Sequence, residues 1–356
     1  MITPAIFTKT DQRCAGNFGV KRQEIYLNMP VGEYYGWAIC GKNLLREFDR
    51  KTNVRYVENG FTVSVRTPET NQMVERLKTS PEDTDSPFIH TVMPDFLPSI
   101  GNRGNPNIGY AFYEENEMSK EYVENAKKNY DILVGGSTWN KELFESYGIK
   151  SMAIPQGVDR RIFKPIKKKD ERFTVFSGGK FEPRKAQDLT VRVVAEAQKT
   201  YPDIHFVAMW NNIFNHDAAK EQIKKLFKMY GLKNVNYLGL YPQEIVAQVM
   251  GDTTIGMFLN RYEGGTNLVL MEYLACGNPV IANFSTGQKD VLESHYSFFT
   301  QGYDDKIFAE AYDYLIYAYK NRSKLKDMGK FASMAMDKFS WENTADMFLE
   351  ICNGQS

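Results

Sequence analysis

Short apolar, β-branched and aromatic runs alternate with amphipathic stretches along most of the chain. Strands separated by helical stretches predict βαβ units and parallel sheets. In the first half, Phe61-Thr-Val-Ser-Val, Pro87-Phe-Ile-His-Thr-Val, Asn107-Ile-Gly-Tyr-Ala-Phe-Tyr and Ile132-Leu-Val-Gly-Gly read as strands. Helices are expected over 36–50, 119–129 and 138–147. Ser151-Met-Ala-Ile-Pro is a short strand before a turn at Gln156-Gly-Val-Asp. The pattern breaks at Phe163-Lys-Pro-Ile-Lys-Lys-Lys-Asp-Glu-Arg, which is polar, charged and Pro-containing, and so reads as a linker. It restarts at Phe173-Thr-Val-Phe-Ser-Gly-Gly-Lys, with strands expected at 204–209, 235–239, 254–259 and 279–283. The expectation is two doubly wound α/β domains joined near residue 168. Ligands in such sheets sit outside the carboxyl ends of the strands, so the site is expected in the cleft between the domains.

Two glycine turns sharpen this expectation. Ser177-Gly-Gly-Lys-Phe-Glu-Pro-Arg-Lys follows a strand and brings Gly179 together with the cations Lys180, Arg184 and Lys185. Glycine lets the backbone approach a ligand closely, and the cations suit a diphosphate. The second turn is Glu263-Gly264-Gly265-Thr266-Asn267. It follows an apolar strand and leads into a helix capped at Thr266 or Asn267 and ended by Gly277 with Pro279 beyond. Free N–H groups and the helix dipole there favour an anion. Within that helix Glu272 lies among Leu268, Met271, Leu274 and Ala275. A carboxylate in apolar company needs a partner. A ribose diol would satisfy it, and so would an Arg or Lys.

Composition acts mainly by exclusion. The chain has 356 residues, 42% hydrophobic and 25% charged, with 44 basic and 44 acidic residues. No overall field commits it to nucleic acid or membrane. Residues 1–80 carry 12 basic and 8 acidic residues, and residues 81–165 carry 9 and 13. An anionic acceptor, DNA included, would meet the positive segment containing Lys9, Arg13, Lys21 and Arg22; ordinary surface variation gives the same imbalance. Cys14, Cys40, Cys276 and Cys352 show neither disulfide nor zinc spacing. No signal peptide or membrane-length apolar run is visible, so a cytoplasmic protein without membrane insertion is expected.

The second half resembles the retaining GT-B glycosyltransferases of the large family 4. Gly179-Lys180-Phe181…Arg184-Lys185-Ala186 is similar to that family's Gly-Arg-Leu…Glu-Lys-Gly turn, and Glu272-Tyr-Leu-Ala-Cys-Gly-Asn-Pro-Val-Ile to its Glu-Ala-Met-Ala-Cys-Gly-x-Pro-Val-Ile. In the first half, Asn107 to Glu114, Ser137-Thr-Trp-Asn and Ile154-Pro-Gln-Gly-Val-Asp resemble a subgroup. The resemblance implies a GT-B fold with an acceptor-side domain over 1–167, a nucleotide-sugar domain over 168–335, and a C-terminal helix over 336–356 crossing back. Glu272 would take the ribose. Gly179, Lys180, Lys185, Gly264, Gly265, Thr266, Asn267 and Leu268 would hold the diphosphate of a UDP- or GDP-sugar. His90, Glu263 and Glu114 would face the reacting sugar or the acceptor. No metal or other cofactor is implied. Eight residues separate Glu263 from Glu272, where the family has seven. Glu263 therefore either reaches the sugar across a longer turn or has another purpose. Lys180 keeps the charge of the family arginine without its bidentate fork.

Other signals compete. Asp83-Thr-Asp85 has the form of the metal motif of the other glycosyltransferase fold, but it lies in a polar turn. Tyr34, Tyr35 and Trp37, within the glycine-spaced Gly32-to-Gly41 segment, suit stacking on a sugar or base as well as core packing. A sugar-nucleotide epimerase or a non-catalytic binding module on the same fold would show the same pattern.

Overall fold

The computed structural model describes residues 23–60, 65–169 and 171–354. Two parallel sheets form the frame. The first contains β1 (Glu24–Asn28), β2 (Asn53–Val57), β3 (Lys78–Thr79), β4 (Phe88–Thr91), β5 (Asn107–Ala111), β6 (Ile132–Gly135) and β7 (Ser151–Ala153), in the order β3-β2-β1-β4-β5-β6-β7. The helices around it are α1 (Gly36–Lys51), α2 (Pro68–Leu77), α3 (Lys120–Asn129) and α4 (Thr138–Ser146). The second sheet contains β8 (Thr174–Lys180), β9 (His205–Asn211), β10 (Val235–Leu238), β11 (Ile255–Phe258), β12 (Val280–Asn283) and β13 (Ser297–Thr300), in the order β10-β9-β8-β11-β12-β13. Its helices are α5 (Gln187–Thr200), α6 (His216–Tyr230), α7 (Gln243–Asp252), α8 (Leu268–Ala275), α9 (Asp304–Lys320) and α10 (Arg322–Ala335). In both sheets the chain reverses direction across the first strand, creating a switch point where ligands bind. This is the GT-B arrangement.

The central strands are buried along their length: β5 and β11 each have every residue buried. Helices cover both faces, so these strands read as continuous apolar runs rather than alternating ones. The strand expected at Phe61 falls on residues 61–64, outside the described residues, as do Lys9, Arg13, Lys21 and Arg22. Phe163 departs from the linker reading. It is fully buried among Phe176, Leu270 and Met271 of the second unit, so the exposed connection begins only after it.

The last helix, α11 (Trp341–Cys352), returns to the first sheet's side and packs on α1. Trp341, Ala345, Phe348 and Ile351 join Leu44, Phe48 and Tyr110 in one core. The path to it is fastened by Val158 N–H donating to Phe339 O at 2.8 Å and by Thr344 Oγ1 donating to Pro155 O at 3.0 Å. Among the described residues no helix is long and apolar enough to cross a membrane.

Phe348 is fully buried, with its ring 5.0 Å from that of Tyr110 and 6.3 Å from that of Phe48. Phe348→Ala should therefore destabilise the protein by about 3–5 kcal/mol, read as a lowered denaturant midpoint. A loss below about 1 kcal/mol would mean that α11 does not anchor the first unit.

Candidate functional site

A cleft of about 590 Å³ opens between the two sheets at the carboxyl ends of their strands. From the first unit it is lined by the start of α1 and the segments following β4 and β5. From the second it is lined by Gly178 to Lys180 at the end of β8, Asn211 at the end of β9 with Ile213 and Phe214 beyond it, and Gly239 to Tyr241 after β10, with Glu263, Asn267 to Val269 and Glu272 around α8. Gly179 adopts φ of +120°, a value open to glycine and costly for other residues. It turns the chain so that Lys180 faces the cavity.

Three cations and three carboxylates meet on one side of the cleft. Arg184 Nη1 and Asn260 Nδ2 donate to Glu263 Oε2 at 3.2 and 2.7 Å, and Lys185 Nζ donates to the same oxygen. Arg184 also reaches Glu114 of the first unit at 2.6 Å and Glu182 at 2.9 Å, while Lys180 pairs with Glu182. Burial alone would raise the Glu263 carboxyl, but the Lys185 and Arg184 charges outweigh it and hold it below the usual range. Glu114 goes the other way. Burial lifts it against the pull of Arg184, and with Glu263 nearby its pKa reaches about 7. Burial likewise pulls the Lys185 ammonium below its ordinary value, against the hold of Glu263.

Glu272 lies deeper, on α8. Its Oε1 accepts from Gln243 Nε2 at 3.2 Å. Gln243 Oε1 in turn accepts from Lys42 Nζ at 3.0 Å, and Lys42 also pairs with Glu33 at 2.5 Å. Burial pushes Glu272 up to about 8, and Lys42 offsets only part of that. The Arg or Lys ion pair that would have satisfied it directly is not formed among the described residues. Lys42 reaches it only through Gln243.

The second glycine turn does not hold the cavity wall in the expected way. Glu263, Asn267 and Leu268 line the cleft, whereas Gly264, Gly265 and Thr266 do not. A Cβ on Gly264 would lie 2.6 Å from Tyr113 O, and one on Gly265 would lie 2.7 Å from the Phe112 ring. Gly264 O accepts from Ser137 Oγ at 2.7 Å. These glycines permit close contact between the two units. Thr266 is fully buried against Met271. Asn267 is the N-cap of α8, in a left-handed conformation, with Oδ1 accepting from Leu270 N–H at 3.4 Å.

His90 is not brought to the cleft. It is fully buried in β4, stacked on Phe88, with Nε2 2.9 Å from Asn107 Oδ1, and burial lowers its pKa to about 4. Strand alternation points His90 away and leaves neighbouring Thr91 on the cavity. Asp83 Oδ1 accepts from Arg103 N–H at 2.9 Å in a surface turn away from the cleft, which gives the Asp-Thr-Asp segment a structural role. Sequence reading missed Thr91, Lys42 and Gln243 as site residues and gave Arg184 no place of its own. The Phe-Glu-Pro-Arg-Lys run carried a signal for Arg184. Gln243 lies 29 positions from Glu272 and had none.

Residues 158–332 match the family model described as glycosyl transferases group 1. Over 294 residues, or 78% of the chain, the sequence is 24% identical to a D-inositol 3-phosphate glycosyltransferase of Stackebrandtia nassauensis, covering 59% of that protein. Over 237 residues, or 62% of the chain, it is 26% identical to a protein of the same name from Rhodococcus erythropolis, covering 53%. The chain thus spans little more than half the length of these curated relatives. Among solved structures, sucrose-phosphate synthase from Thermosynechococcus elongatus superposes with a TM-score of 0.71 at 15% identity, over 94% of this chain and 99% of that one. HepE from Anabaena in complex with UDP-glucose gives 0.70 at 14% identity, over 93% and 99%. At these identities the likeness establishes the fold.

The raised Glu272 carboxyl has a stability consequence. Below the ordinary pKa of 4.5 the group is neutral whether the chain is folded or unfolded. As pH rises to about 8, the unfolded chain ionises first, so the folded state loses relative stability. Glu272→Gln should remove this decline and make the ligand-free protein more stable than wild type by ~1–3 kcal/mol at pH 8, with the gap closing towards pH 4. Melting curves across that range check it; a gap that does not change with pH counts against the buried, neutral carboxyl.

Proposed function

We propose that this chain transfers a glycosyl group from a nucleoside diphosphate sugar to an acceptor hydroxyl in the cleft, a reading supported by the match of residues 158–332 to the glycosyl transferases group 1 model. The observation that carries this reading is Glu272. It is a buried carboxyl that, among the described residues, is hydrogen-bonded by the Gln243 side chain; it lines the cavity, and it stands on a helix whose N-terminus faces the same space as Lys180, Arg184 and Lys185. A ribose diol brings two hydroxyl donors to that carboxyl. The cations and the α8 N-terminus then lie on the diphosphate side. The UDP and UDP-glucose complexes of the similarly folded HepE support a donor of this class, a UDP- or GDP-sugar.

In the proposed reaction the bond from the anomeric carbon to the diphosphate oxygen breaks, and a bond to the acceptor oxygen forms. The acceptor hydroxyl proton passes to the departing phosphate on the same face, so configuration is retained. Lys180, Arg184 and Lys185 offset the charge that develops on the diphosphate. Glu263, whose Oε2 is held by three donors, fixes Lys185 and Arg184 in place rather than attacking the sugar. Because this chemistry draws on lysine, arginine and a helix dipole, turnover should not require a divalent cation.

Four measurements test the reading. Glu272→Ala should abolish UDP and GDP binding by calorimetry in a protein that remains folded; unchanged affinity removes the ribose assignment. Ribose hydroxyls favour the ionised carboxylate, so nucleotide binding near pH 7 should release a proton, and affinity should rise as pH approaches 8. Calorimetry in buffers of different ionisation enthalpy reads that proton. Transfer should also continue in EDTA, and loss of turnover that magnesium or manganese restores would overturn the metal-free mechanism. Incubation with the donor alone should leave the sugar unaltered, which separates transfer from epimerisation.

A further inference from the structure

One chain of hydrogen bonds runs from the first unit to Glu272. It starts where Thr70 Oγ1 donates to Glu33 Oε1 at 2.8 Å and Lys42 Nζ pairs with Glu33 Oε2 at 2.5 Å. Burial would raise the Glu33 carboxyl, but the hydrogen bonds from Lys42 and Thr70 outweigh it and hold it below its ordinary value. Glu33 is thus a fixed anion that anchors the Lys42 ammonium. From α1 that ammonium reaches across to α7 and donates to Gln243 Oε1 at 3.0 Å. Gln243 Nε2 then donates to Glu272 Oε1 on α8 at 3.2 Å. The Lys42 and Glu33 side chains are only 12% and 13% exposed, and Gln243 and Glu272 are buried, so solvent screens this path weakly.

The chemistry of lysine fixes the direction of the chain. An ammonium has three donors and no acceptor, so the Gln243 amide turns its oxygen to Lys42 and its nitrogen to Glu272. The amide then occupies one of about four acceptor sites on the Glu272 carboxylate and sets the plane in which the others point. Gln243 is the first residue of α7, with Pro242 before it, so the second unit places its backbone while the first unit turns its side chain. Without Lys42 the amide is free to flip and to present its oxygen to Glu272. A flipped amide accepts the proton of the neutral acid and holds Glu272 in the form that suits a diol least. Burial already favours that neutral form and Asp159 adds to it, whereas the Lys42 charge draws Glu272 towards ionisation.

We propose that Lys42 and Gln243 are positioning residues for the donor: Lys42 of the first unit sets the Gln243 amide, and the amide aims the Glu272 carboxylate at the ribose hydroxyls. This rests on the assignment of Glu272 to the ribose. It extends donor recognition to Lys42, which stands on the opposite unit and does not line the cleft. Recognition of the ribose then depends on how the two units stand together.

The test compares UDP with dUDP, and GDP with dGDP, by calorimetry on the full chain. The ratio of the two affinities reads recognition of the ribose 2′-hydroxyl, and it cancels any loss of folded protein or of attraction for the diphosphate. The wild-type protein should prefer the ribose form about tenfold. Lys42→Met and Gln243→Met keep the length of the side chain, and each should cut that preference about three- to fivefold. Because both act through one path, the double variant should lose no more than the stronger single. An unchanged preference in Lys42→Met, or losses that add in the double variant, would overturn the assignment. Lowered thermal stability or weaker binding of both nucleotides with the preference intact would make Lys42 a strut between the units, and would overturn it equally. A wild-type protein without any preference for the ribose form, or Glu272→Ala binding as tightly as wild type, would instead overturn the ribose reading itself.

Discussion

The site exists because two backbones approach each other where side chains are missing. A Cβ on Gly136 would lie 3.2 Å from Gly265 Cα, and one on Gly287 would lie 2.8 Å from Ser137 Cβ of the first unit. Gly264 meets Tyr113 and Phe112 in the same way. Four glycines from both units thus make a seam. Ser137 Oγ donating to Gly264 O and Thr138 N–H donating to Asp290 at 2.7 Å fasten it. Everything in the cleft is measured from this seam. It sets how far Glu114 stands from Arg184 and how far Lys42 stands from Gln243. A methyl group at Gly264 would have the Tyr113 backbone of the other unit as its nearest neighbour, which cannot swing aside, so it would change the cleft itself rather than one contact in it.

The seam also explains why part of the site was legible in the sequence and part was not. A Gly-Gly turn before a helix states that the backbone comes close to something, and it does not state to what. Here Gly264 and Gly265 approach another backbone, while Gly178 and Gly179 line the cavity. The α8 signals were local and therefore readable: Asn267 caps the helix, and Gly277 ends it at φ +81°. His90 and Thr91 show the opposite case. One step along a strand reverses the direction of the side chain, and a short apolar run buried on both faces carries no polar alternation to fix its phase. The strands β1, β2, β3 and β13 are not among the expected ones; Asn53-Val-Arg-Tyr-Val follows α1 almost without a turn, and β3 has only two residues.

Partners distant in sequence were beyond any local pattern. Lys42, Gln243 and Glu272 come from three helices and meet only because α1 lies across the mouth of the second unit. The consequence is physical as well as topological. Glu272 could have been stabilised as an anion by a lysine placed against it. Instead an amide stands between them, and the carboxyl remains protonated until about pH 8. A neutral, half-satisfied acid at the bottom of a cleft is costly on its own, and the ribose diol of the proposed donor would relieve that cost.

The two carboxyls near the cations divide their work by the same logic. Glu263 is tied by Lys185, Arg184 and Asn260 and keeps its charge, so it holds the donor-side cations rigid. Glu114 comes from the other unit, has a third of its side chain exposed, and titrates near neutrality. Through Glu114 the cation cluster of the second unit is tied to the first, so one carboxyl of the cluster keeps its charge and the other, from across the cleft, titrates near neutrality.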